Sequence, residues 1–99
     1  MNDINKNENI KDTVQLFKIF SDNTRLKIID LLVTGEFCVQ DISDSLSTSQ
    51  SAISHQLKLL RDLNVVKTRK MGKQVFYSLQ DNHVKEIYLM GFSHATECK

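Results

Sequence analysis

The chain has 99 residues, 40% of them apolar and 25% charged, with a formal net charge of +1. That length and composition suit one small domain with a modest core. No run approaches the ~20 apolar residues of a membrane span, no signal peptide opens the chain, and Cys38 and Cys98 form no disulfide framework, so a cytoplasmic protein with free thiols and no membrane partner is expected.

There is no proline, internal repeat or low-complexity linker, so residues 1–99 are expected to form a single domain, with the polar start, residues 1–9, fraying. Ile10, Val14, Phe17 and Phe20 recur at helical spacing and predict a first helix over about 8–20. Ser21-Asp22-Asn23 offer N-cap side chains. Leu26, Ile29 and Leu32 then predict a second helix ending near Gly35. A third, short helix covers about Val39–Leu46, apolar at Val39, Ile42 and Leu46. Leu46-Ser47-Thr48-Ser49 reads as a tight polar turn, and a fourth helix follows from about Gln50 to Leu63 with Ile53, Leu57 and Leu60 facing inward.

The period then changes. Val65–Lys70 and Lys73–Leu79 are β-rich runs flanking Met71-Gly72, which predicts a hairpin with a basic tip. A last helix spans about 82–97, with Val84, Ile87, Tyr88 and Met90 suited to a dimer interface or to the core. The order helix, helix, helix-turn-helix, hairpin, helix predicts a mainly α fold with a β-hairpin wing, a winged helix-turn-helix, in a homodimer.

Charge is concentrated where this motif lies. Between Lys58 and Lys73 there are six basic residues and one acid, which gives that segment +5 and leaves −4 on the rest. The outward positions of the fourth helix, Gln50, Ser51, Ser54 and His55, carry hydrogen-bonding side chains suited to base edges in a major groove. Lys58 and Arg61 lie farther along and suit phosphate or solvent, while Lys70 and Lys73 at the hairpin tip suit phosphates or an adjacent minor groove. A serine-rich helix start can also be a mere cap. The turn, the helix and the basic hairpin together point instead to double-stranded operator DNA, expected to be an inverted repeat for a two-fold dimer.

The last nineteen residues carry a second pattern: Asp81-Asn82-His83, ten residues, then His94-Ala95-Thr96-Glu97. These are zinc-ligand types at two ends of one expected helix. The eleven-residue step from His83 to His94 amounts to three turns plus about 20°, so both histidines share a face but lie about 16 Å apart. One helix cannot close a coordination sphere over that distance. Two antiparallel copies can, with Asp81 and His83 of one chain meeting His94 and Glu97 of the other, so that symmetry makes two sites per dimer. Nitrogen and carboxylate donors favour Zn²⁺ or Co²⁺ over soft ions.

Three segments carry a family resemblance: Phe20-Ser21-Asp22-Asn23-Thr24-Arg25-Leu26-Lys27-Ile28, Gln50 through Leu60, and Gly72 through Leu79. The chain resembles metal-sensing repressors of the ArsR–SmtB family over about residues 14–97, and Asp81-x-His83…His94-x-x-Glu97 is similar to the last-helix site of the zinc-sensing branch. The resemblance implies a homodimer joined through its first and last helices. It also implies operator binding without metal and release with metal, derepressing metal efflux or sequestration genes. It suggests that His94 signals by a second hydrogen bond to the backbone carbonyl of Asn64, where the recognition helix ends. Glu36-Phe37-Cys38-Val39-Gln40-Asp41 resembles a second metal element of the family, with Gln40 in place of its second cysteine, which weakens a thiolate site at Cys38 and Asp41. Cys98, four residues after His94, could stand in for Glu97.

An alternative keeps the DNA binding and changes the signal to a thiol or persulfide response through Cys38 and Cys98. The resemblance places Asp30 where sulfur sensors carry a second-helix thiol, which counts against it. A zinc hydrolase needs an open coordination position in a cleft, and a four-ligand site shared by two small chains offers neither, so no enzyme activity is expected.

Overall fold

The computed structural model describes residues 3–97. Its elements are α1 (Asp3–Phe20), α2 (Asn23–Leu32), α3 (Val39–Leu46), α4 (Gln50–Asp62), β1 (Val66–Met71), β2 (Gln74–Leu79) and α5 (Asn82–Glu97). This is the expected winged helix-turn-helix. No helix among the described residues is long and apolar enough to cross a membrane.

Helix α1 differs most from expectation. It begins at Asp3 rather than near residue 8, because no glycine or proline interrupts the polar start. Its buried face is also different. Ile19 is buried, and Leu16 and Phe20 pack against the core, whereas Ile10, Val14 and Phe17 are 51%, 45% and 56% exposed. Of the four residues that mark the helix in the sequence, Ile10, Val14 and Phe17 therefore face away from the core of their own chain, and only Phe20 joins it.

Helix α2 is the central element. Asp22 caps it by accepting a hydrogen bond from the Arg25 N–H at 3.0 Å. Ile28 and Ile29 are fully buried, and Leu32 nearly so. The helix-turn-helix packs on this surface. Ser47, in left-handed geometry at φ 52°, ends α3, and the Ser49 side chain caps α4 by accepting from the Ala52 N–H. Ile42 of α3 and Ile53, Leu57 and Leu60 of α4 are fully buried. Burying that stripe leaves the opposite face of α4 to solvent.

Asn64, at φ 58°, turns the chain out of α4, and Val65 and Val66 anchor the hairpin in the core. Strands β1 and β2 are antiparallel, with Met71 opposite Gln74, so the loop is Gly72-Lys73. Gly72 has φ 62°, a conformation that suits glycine at the first loop position of a tight hairpin. Phe37 adds a third rung: it exchanges backbone hydrogen bonds with Tyr77 at 3.0 and 2.8 Å. A single bridging residue has no periodicity and leaves no sign in the sequence.

Helix α5 closes the domain through Val84 and Tyr88, while Leu89, Met90 and Phe92 stay 39%, 73% and 57% exposed. The Tyr88 hydroxyl donates to Asp30 Oδ1 at 2.7 Å. Burial, and then the Asp30 carboxylate, push its pKa from 10.0 up to about 12. A raised folded-state pKa stabilises fully below pH 10 and stops doing so as pH rises to about 12. Tyr88→Phe should therefore cost about 1 kcal/mol at neutral pH, the worth of one hydrogen bond. The gap between wild type and variant in thermal melts should narrow from pH 8 to pH 11; an unchanged gap would show that this bond is not its source.

Candidate nucleic-acid interface and metal half-sites

The face of α4 left by packing presents Gln50, Ser51, Ser54, His55 and Lys58, all exposed. They lie from the first turn of the second motif helix onward, the part that meets base edges in such motifs. Gln50 is also tied back to α3: its Nε2 donates to Gln40 Oε1 at 2.6 Å.

The structure adds residues whose roles the sequence did not reveal. Arg25 of α2 donates from Nε to the Ile19 carbonyl at 2.9 Å and from Nη2 to the Lys18 carbonyl at 3.3 Å. Its Nη1 donates to Gln56 Oε1 at 3.2 Å. One guanidinium thus caps the end of α1 and grips the recognition helix. Arginine's fixed fork of donors makes such a three-way junction possible. Arg25 lies inside the segment that carries the family resemblance, but its partners are 6, 7 and 31 residues away, beyond what spacing shows.

In the wing, Arg69 pairs with Glu36 through two hydrogen bonds, at 3.1 and 3.0 Å, and lies over the Phe76 ring at 5.5 Å. The hydrogen bond from Arg69 holds the Glu36 carboxyl below the usual carboxylate range. Arg69 stays charged but has an acidic partner, so the charge of the Lys58–Lys73 segment, which leaves Glu36 out, overstates the net charge around the wing. Lys67, Lys70 and Lys73 are exposed. Lys70→Ala or Lys73→Ala should weaken binding to specific and random duplexes alike and flatten the salt dependence by about one unit per lost phosphate contact. A loss confined to one sequence would mean that these lysines read bases.

The metal-ligand types fall into two pairs at the ends of α5. Asp81 Oδ1 accepts the Val84 N–H at 3.2 Å, and its Oδ2 lies 3.5 Å from His83 Nδ1. Both side chains are open to solvent, at 50% and 85%. His94 and Glu97 stand exposed on the last turns of the same helix. Among the described residues, no three of histidine, cysteine, aspartate and glutamate come together in the single chain. Each end offers at most a pair, whose nitrogen and carboxylate donors suit zinc. Cys38 is half-buried at the start of α3, Asp41 is exposed one turn later, and Cys98 lies outside the described residues. Asn64 is exposed at the corner between α4 and β1.

Residues 22–68 match the family model described as bacterial regulatory protein, arsR family. The chain is 43% identical over 91 residues to a cadmium resistance transcriptional regulatory protein CadC homolog of Staphylococcus aureus, covering 91% of this chain and 75% of that one. It is 40% identical over 83 residues to a transcriptional repressor SmtB homolog of Synechocystis sp., covering 84% and 63%. Its structure is similar to HlyU from Vibrio cholerae, with a TM-score of 0.79 and 35% identity over 92% of this chain and 97% of that one. The match runs through the capped α2, both motif helices and into the wing, and on that ground the chain belongs to the arsR family of bacterial regulatory proteins, which act by binding DNA rather than as enzymes.

Proposed function

We propose that this protein is a cytoplasmic, zinc-responsive transcriptional repressor that holds an inverted-repeat operator as a metal-free homodimer and releases it when metal binds. The observation that carries the reading is the pairing at α5. Two ligand pairs stand at opposite ends of one helix, and the faces of α1 and α5 expose Ile10, Val14, Phe17, Leu89, Met90 and Phe92. A second copy, antiparallel along α5, covers that apolar surface and completes two sites per dimer, each from Asp81 and His83 of one protomer and His94 and Glu97 of the other. The name of one relative, a cadmium resistance transcriptional regulatory protein, supports a metal as the signal, and that of the other supports a repressor. The donor set favours Zn²⁺ or Co²⁺.

When bound, the ion would be held by Asp81 and His83 of one protomer and His94 and Glu97 of the other, and would supply the positive charge that ties those side chains together. The remaining work falls to the chain. A ligating histidine keeps one ring N–H, which such histidines donate to a carbonyl or carboxylate. The backbone carbonyl of Asn64 is the proposed acceptor, because Asn64 turns the chain between the recognition helix and the wing. Fixing His94 there biases the spacing of the two recognition helices. Linkage requires that DNA weaken metal binding by the same factor that metal weakens DNA binding.

The test is operator affinity by fluorescence anisotropy, with and without Zn²⁺, on wild type and His94→Ala. Zinc should weaken wild-type binding by about 5- to 150-fold, the usual range of allosteric coupling. His94→Ala should bind DNA as the metal-free wild type does and lose nearly all of the response. A wild type whose affinity zinc leaves unchanged would sink the reading.

A further inference from the structure

Gln40 stands where the resembling metal element has a cysteine, and the structure gives it a different use. Its Nε2 lies 3.2 Å from both Asp44 carboxylate oxygens, one turn on in α3, and its Oε1 accepts from Gln50 Nε2 at 2.6 Å across the motif. The chain of bonds runs Asp44, Gln40, Gln50, from the back of α3 to the first residue of the recognition helix. All three residues are exposed.

The direction of this relay is set by chemistry. An ionised carboxylate only accepts hydrogen bonds, whereas an amide has one end that donates and one that accepts. Asp44 therefore fixes which way Gln40 points: NH₂ toward the carboxylate, oxygen toward Gln50. Gln40 in turn fixes Gln50, whose NH₂ must face it. Gln50 then has Oε1 and its second N–H left to meet a partner. An amide offering an acceptor beside a donor pairs with adenine in the major groove, accepting from N6–H and donating to N7. Unrestrained, the Gln50 amide could flip and lose that order, because its two ends are nearly the same size.

We propose that Gln40 and Asp44 are positioning residues that set the base preference of Gln50, directing it to adenine, without touching DNA themselves. The inference rests on the reading of Gln50 as a base contact. It also gives α3 a part in sequence selectivity, beyond its role as the supporting helix of the motif.

The test uses duplexes selected from a randomised pool by the wild-type protein. At the base pair where Gln50→Ala flattens discrimination, affinities are measured for the four possible bases. Comparing ratios among the four cancels any change in total charge. The wild type should favour adenine. Gln40→Ala should lose about two- to tenfold of that preference, the worth of one neutral hydrogen bond. Gln40→Glu still accepts from Gln50 and should keep adenine first. Gln40→Lys can only donate, so it turns the Gln50 amide round and should move the preference toward guanine or thymine, whose edges accept. Thermal melts should match the wild type throughout. If Gln50→Ala flattens the preference while Gln40→Ala and Gln40→Lys keep it whole, the relay is refuted and Gln50 reads DNA unaided. If Gln50→Ala changes no preference, the proposal falls together with the base contact. Equal weakening on all four bases in the Gln40 variants would also overturn it, since that is what a structural role alone would give.

Discussion

Phe17→Glu should leave the chain folded and make it a monomer. Phe17 is 56% exposed in the single chain, so the glutamate stays solvated there and costs the fold little. In the proposed dimer the same position lies within an apolar surface shared by α1 and α5. Phe17 lines a groove of about 300 Å³ there with Phe20, Leu26, Ile87, Phe92 and Ala95. Burying an unpaired carboxylate in such a surface costs several kcal/mol. A loss of about 3 kcal/mol corresponds to more than a hundredfold in dimer affinity. Operator binding should fall with it, because a monomer holds only one half-site. Sedimentation and a thermal melt separate the two effects. A Phe17→Glu chain that still sediments as a dimer at micromolar concentration would place the interface elsewhere, and one that fails to melt cooperatively would show that Phe17 belongs to the core.

The motif helices are legible in the sequence, because strict apolar spacing at Ile42, Ile53, Leu57 and Leu60 is bracketed by polar residues that can only turn and cap: Ser47 takes the left-handed geometry and Ser49 caps α4. That His83 and His94 fall on one helix is legible for a similar reason: no proline interrupts residues 82–97. The buried face of α1 is not. Ile10-Val14-Phe17 and Leu16-Ile19-Phe20 both have helical spacing, and periodicity shows that a stripe exists without showing what covers it. The winning set is the one that can reach α2, and Ile10, Val14 and Phe17 are left exposed. Contacts between distant segments are out of reach altogether. Arg69 counts as a free wing charge in the sequence, but Glu36, 33 residues earlier, occupies it. Arg25 and Gln56 are likewise joined only by the fold. In the Asp44–Gln40–Gln50 relay, the four-residue step is a familiar helical pairing, while the ten-residue step depends on how the turn sets α4 against α3.

The largest expected effect on regulation comes from separating the two ends of α5 onto different chains. Consider one variant that lacks Asp81 and His83 and another that lacks His94 and Glu97, each replaced by alanine. In either homodimer both sites keep only two of four ligands. In the mixed dimer one site loses all four and the other keeps all four. All three dimers should bind operator DNA alike without metal, because the changed residues lie on or beside α5, outside the α4 face and the wing tip assigned to DNA. The decisive measurement is the operator affinity of the co-purified mixed dimer, carrying a different affinity tag on each chain, with and without Zn²⁺. The cross-chain site predicts that zinc weakens binding by the mixed dimer, with one ion bound per dimer, while leaving both homodimers unresponsive. A mixed dimer that ignores zinc, or either homodimer releasing DNA as the wild type does, would contradict it.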